Sequence, residues 1–158
     1  MDIVRYSRSG GIGDIEVDGY LNFHYLTHLD GAKKLLLESG INRTAILEAA
    51  DGARRPAILL RTSAWKAGHE TNPWEDVYDL DHGHVRYYGD HKPSTIGDVG
   101  VTPGNRSLLD AWRLHTSPIA SERAAAPPLL LFRAVPVTVH GRRVNKGHLE
   151  FCGIGIIE

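Results

Sequence analysis

The order of the apolar segments most constrains what this chain can fold into: strand-like stretches follow one another without a regular alternation of helices. Residues 54–62, RRPAILLRT, have the bounded apolar profile of a buried strand, with Arg61 emerging at its far end. HVRYY at 84–88 is β-branched and aromatic and follows the turn Asp81-His82-Gly83. Strand alternation sends Val85 and Tyr87 to one face and His84, Arg86 and Tyr88 to the other. After Pro127-Pro128, the stretches LLLFR, VPVTVH and LEFCGIGII, with a turn at Gly141, predict two or three more strands. Near the start, Gly10-Gly11-x-Gly13 predicts a turn, and Ile15 and Val17 alternating with Asp14, Glu16 and Asp18 predict a strand.

Helical patterns are fewer. One covers 29–38, opened by Asp30 and closed before Gly40, and a second covers TAILEAA at 44–50. A third follows the capping box Ser107-x-x-Asp110 and turns Leu108, Leu109 and Trp112 inward. Doubly wound parallel sheets need strands and helices in alternation. The expected fold is therefore α+β, mainly β: a curled antiparallel sheet or barrel flanked by two or three helices, in a single domain over 1–158.

Composition excludes several classes. With 158 residues, 42% hydrophobic and 23% charged, the chain reads as a globular protein able to bury a core. No apolar run approaches membrane-spanning length and no signal-like segment opens the chain, so a cytoplasmic location without membrane contact is expected. A net charge of -1 rules out a polycation, so any nucleic-acid contact must be local. Arg54-Arg55-x5-Arg61 and Arg142-Arg143-x2-Lys146 are the basic clusters, and a solvated face is the default for each. The single cysteine, Cys152, reads as a small buried hydrophobe. The early glycines lack the preceding strand and following Lys-Ser/Thr helix of a phosphate loop.

Chemistry concentrates in residues 72–92, NPWEDVYDLDHGHVRYYGDHK. A metal site would draw on His82, His84 and His91 with Asp79 or Asp81, but there is no second cysteine and no helical His-x-x-x-His pair, so no metal is expected. A nuclease would use Asp76 and Asp90 to hold Mg²⁺ and Lys92 to help activate water. The third chemistry is a pocket for a base swung out of a duplex, stacked between aromatic planes and read along its Watson–Crick edge. Trp74 and Tyr87 can supply the planes, each stacked base gaining about 1–3 kcal/mol. Asp76 or Asp79 can accept from the exocyclic amine of cytosine, where thymine presents an oxygen. Main-chain N–H groups around Tyr88, Gly89 and Asp90 can donate to the ring's O2 and N3.

The segment PAILLRTSAWKAGHETNPWEDVYDLDHGHVRYYGDHK resembles the central part of an SRA domain, the modified-cytosine reader of SET- and RING-associated proteins. It is most similar to variants fused to nucleases in bacterial modification-dependent restriction enzymes of the McrA type. The matching elements are the apolar strand 57–61, Trp74, Asp76 or Asp79, His82-Gly83 and Tyr87-Tyr88-Gly89. Downstream, Gly104 to Leu109 is similar to a helix start, Pro128 to Arg133 to a proline-led strand, and His148 to Glu158 to a closing strand. The loop 93–104 departs from the family's basic finger, being nearly devoid of basic residues.

The resemblance implies an SRA-like, PUA-like fold that binds double-stranded DNA carrying 5-methylcytosine or a related modified cytosine by base flipping. Its base pocket would comprise Trp74, Asp76, Asp79, Tyr87, Tyr88, Gly89 and Asp90. Phosphate contacts would come from Arg61, Lys92, Arg106, Arg133, Arg142, Arg143 and Lys146. The His-Asn-His set of an HNH module is absent from the sequence, so no catalytic residue and no cofactor is expected here. A divalent metal would belong to a separate nuclease module. The kind of modification, the sequence context and the oligomeric state stay open.

Overall fold

A computed structural model describes residues 3–5, 39–50, 52–63, 74–144 and 148–158. The buried run at 54–62 becomes β5 (Ile58–Thr62), whose Ile58, Leu59 and Leu60 are at most 2% exposed. It is buried because it is interior to a five-stranded sheet. On one side lies β2 (Ile41–Arg43), and on the other β8 (Leu129–Ala134), β11 (His148–Gly155) and β1 (Ile3–Arg5), in the order β1-β11-β8-β5-β2. Alternation along β5 sends Leu59 to a cluster with Ala57, Phe132 and Leu149. Ile58 and Leu60 join Ile41, Ala111, Leu129 and Leu131 in a second cluster. Truncating Phe132 or Leu59 to alanine costs about 2–5 kcal/mol, the range for large buried side chains.

Among the described residues three two-stranded hairpins accompany the sheet: β3 (Leu47–Ala49) with β4 (Gly52–Arg54), β6 (Val77–Asp79) with β7 (His84–Arg86), and β9 (Val137–Val139) with β10 (Arg142–Val144). The last turns at His140-Gly141, both with positive φ (47° and 74°), as a two-residue turn matched to the strand twist requires. Two helices are described, α1 (Pro103–His115) and α2 (Ala120–Ala125). Pro103 at the first turn of α1 sits where no N–H is needed, and Arg113 lies in the last turn, where a cation suits the helix dipole. No described helix is long and apolar enough to cross a membrane.

The mainly β, α+β expectation holds, with differences of physical interest. The β5–β8 pair is parallel, although the other pairs of the sheet are antiparallel, and among the described residues the sheet stays open rather than closing into a barrel. Residues 44–50 do not form the expected helix. The Thr44 hydroxyl donates to the Ala57 carbonyl (2.7 Å) and accepts from its N–H (3.3 Å), tying this stretch to the chain just before β5. Leu47–Ala49 then pairs with β4, so contacts distant in sequence override the helix propensity of Ala, Leu and Glu.

The third helix begins at Pro103, four residues before the expected capping serine. Ser107 is therefore inside α1, its hydroxyl donating to the Pro103 carbonyl at 3.0 Å. Trp112 does not turn inward: it is 43% exposed, and Ala111 takes the core position. The early glycine turn, the strand at 15–17 and the helix at 29–38 lie outside the described residues.

Candidate functional site

The β6–β7 hairpin presents its chemistry on one face. Its register pairs Val77 with Arg86, Tyr78 with Val85 and Asp79 with His84. Side chains alternate, so Tyr78 and Val85 point inward, and both pack with Tyr87 on the second core cluster. Burial keeps this period beyond the strand ends: Trp74, Asp76, Tyr78, Val85, Tyr87 and Gly89 are half-buried, whereas Glu75, Val77, Asp79, His84, Arg86 and Tyr88 are exposed. The sequence expectation for Val85 and Tyr87 holds, and Trp74 and Asp76 share their face.

Asp76 accepts from the Tyr88 N–H at 3.0 Å and from the Thr62 side chain at the end of β5. Burial nevertheless raises its pKa, outweighing both hydrogen bonds. The hydroxyls of Tyr78 and Tyr87 are pushed above the usual phenol range, first by burial. For Tyr87 the charges of Asp76 and Asp90 add to this, and Arg61 opposes it. Gly40 leaves room for the Tyr87 hydroxyl, since a Cβ there would come within 2.6 Å of it. Among the described residues the buried Tyr78 hydroxyl finds no hydrogen-bond partner. Asp76 thus acts on both buried phenols, and Arg61 on that of Tyr87, beneath the hairpin at the end of β5. Thr62, Tyr78 and Gly40 escaped the sequence expectations, because only the β2–β5 pairing and the hairpin's docking bring them together.

Asp90 has a different task. Its carboxylate accepts from the Thr102 hydroxyl and from the Asn105 N–H (3.3 Å), while its own N–H donates to Asn105 Oδ1 at 2.9 Å. Asn105 Nδ2 donates in turn to the Val99 carbonyl at 2.9 Å. Gly89, at φ +81°, and Gly104 are packed so closely here that a Cβ would collide with Asn105 and Asp90 respectively. Asp90 therefore anchors the start of α1 and closes the base of the loop between them. This does not favour the nuclease alternative, because Asp90 is held as an acceptor for α1 and Lys92 is exposed on a turn.

The remaining expected residues fall in several places. Asp79 is exposed and braces the hairpin turn, its carboxylate meeting His82 Nδ1 at 2.9 Å and the His82 N–H at 3.3 Å. Tyr88 is exposed. Arg106 donates to the Gly100 carbonyl at the loop base, and Arg142 and Arg143 are exposed on β10. Arg133 is bound by the buried Glu150, whose Oε2 accepts from Nε (2.9 Å) and Nη2 (2.6 Å); that pair secures β8 to β11. Lys146 lies outside the described residues. A cavity of about 710 Å³ opens between β7, α1 and residues 154–158; Tyr87, Leu60 and Trp112 line it, and Trp74 and Asp76 do not.

Comparison with known proteins bears on this arrangement. MspJI restriction endonuclease, solved in complex with a 27-mer oligonucleotide, superposes with a TM-score of 0.79 at 56% identity, covering 99% of this chain and 36% of its own. The DNA recognition domain of the cytosine modification-dependent restriction endonuclease LpnPI gives a TM-score of 0.62 at 19% identity, covering 99% of this chain and 58% of its own, which supports the fold alone. The chain thus spans about a third of the MspJI chain. No curated protein sequence matches. The family model for the N-terminal region of the restriction endonuclease AspBHI matches residues 28–156, and the chain belongs to that family.

Proposed function

We propose that this chain is a DNA-reading domain that flips 5-methylcytosine, or a related modified cytosine, out of the duplex and holds it against the inner face of the β6–β7 hairpin. The observation that carries this is the half-buried Asp76 carboxylate, level with Tyr87 and sharing a face with Trp74. Asp76 accepts from the cytosine amine, and the two aromatic rings flank the base. Of the two candidate carboxylates Asp76 is favoured, because Asp79 is exposed and engaged with His82. The likeness to MspJI, solved in complex with an oligonucleotide, supports DNA as the partner.

An SRA-like mode of base flipping is part of this proposal, as is a partnership with a metal-dependent nuclease module of the HNH, McrA-like kind. Exposed Lys92, Arg106, Arg142 and Arg143 supply phosphate contacts, so affinity falls steeply with salt. Titrating methylated and unmodified duplexes at one fixed salt concentration tests the proposal. Tighter binding of the methylated duplex is expected; equal affinities overturn it.

A further inference from the structure

The arginines at the opposite end of β5 take no part in the base slot. In sequence Arg54 and Arg55 look like a solvated pair, but the fold adds a third cation. Pairing β2 with β5 sets Arg43 opposite Ile58, three residues beyond Arg55. Arg55 is immobilised: its Nη1 donates to the Thr44 carbonyl, and Thr44 is buried and locked to Ala57 through its hydroxyl. The proximity of Arg43 registers in Arg55, whose pKa is lowered by burial first and by the Arg43 charge second. Among the described residues neither is ion-paired to a carboxylate.

Two like charges held together, one of them fixed by a main-chain acceptor, repel each other, and an anion between them relieves the repulsion. A guanidinium fork matches phosphate oxygens in both charge and geometry. We propose that Arg43 and Arg55 bind a phosphate of the DNA backbone, at a site separate from the base slot. From Arg55 to Thr62 the extended chain covers roughly 23 Å at about 3.3 Å per residue, so one phosphate group cannot serve both ends. The identity of the anion's carrier rests on the DNA-reader proposal; the paired cations do not.

The test measures binding of methylated and unmodified duplexes by fluorescence anisotropy across a salt series, for the wild type, Arg43→Gln/Arg55→Gln and Arg43→Lys/Arg55→Lys. In the glutamine variant both duplexes should weaken together by about tenfold, with the salt slope reduced by about 1 and the ratio between duplexes unchanged. The lysine variant, which keeps both charges, should retain the slope. Unaltered affinity and slope in the glutamine variant overturn the site. So does a glutamine variant that binds DNA normally but loses thermal stabilisation by inorganic phosphate, because the site then holds a free anion. A wild type that binds both duplexes equally defeats the reader proposal, while the salt slopes still decide on the arginine pair.

Discussion

Asp76 and Asp90 flank the same hairpin, yet their surroundings are opposite in kind. Around Asp90 the polar groups are matched: Thr102, Asn105 and the Val99 carbonyl form a closed set of hydrogen bonds, and Gly89 and Gly104 are fitted against it. Around Asp76 the balance is incomplete. Its carboxylate is raised in pKa despite two donors, and the Tyr78 hydroxyl beside it has no partner among the described residues. A matched network rigidifies, whereas an under-matched one is held ready for something else. The contrast separates the carboxylate that supports the fold from the one proposed to read the base.

The sharpest way to break that contrast is Asn105→Ala. It removes two hydrogen bonds and leaves the Asp90 N–H and the Val99 carbonyl without partners, so a loss of about 2–4 kcal/mol is expected in urea denaturation. The folded fraction should keep its preference for methylated DNA. Next in size is Asp76→Ala, which should weaken binding of the methylated duplex by about 1–3 kcal/mol in competitive titration, because the contact to the cytosine amine is lost. Asp76→Asn should leave stability at neutral pH unchanged or higher, because it removes a carboxylate that burial disfavours. If Asp76→Asn destabilises as much as Asn105→Ala, the two regions are alike and the contrast is wrong.

A pH series sharpens the same point. The raised pKa means that folded Asp76 keeps its proton to higher pH than the unfolded chain does. Its contribution to stability is therefore greatest below the ordinary carboxylate range and is lost as pH rises through its own titration. Denaturation midpoints of the wild type and Asp76→Asn should accordingly converge in acid and separate towards neutrality, with the variant ahead. The smallest effect belongs to Asp79→Ala, an exposed turn residue, expected to change stability by no more than about 0.5 kcal/mol and discrimination not at all.

Much of the sheet was legible in the chain. Ile58 to Leu60 form a bounded apolar run, Val85 and Tyr87 alternate with polar neighbours, and Pro127-Pro128 announces β8; these signals are local, and the fold keeps them. The misplaced elements had signals that distant contacts outweighed. Leu47 to Ala49 favours a helix in isolation but is drawn into a hairpin beside β5, and Trp112 has a core-like composition on a helix whose core position belongs to Ala111. The aromatic and acidic stretch stood out in the chain, but the division of labour among its carboxylates did not. Asp76, Asp79 and Asp90 look interchangeable until Thr62, His82 and Asn105 are brought to them.

Periodicity, turn residues and the density of aromatic and acidic side chains depend on neighbours a few positions apart, so the sequence by itself determined a mainly β fold and singled out the stretch proposed to meet a ligand. The tertiary structure alone decided which carboxylate is buried, which one anchors α1, and that Arg43 stands beside Arg55. Burial and charge proximity are properties of positions in space, and strand pairing between residues far apart in the chain is what creates those positions.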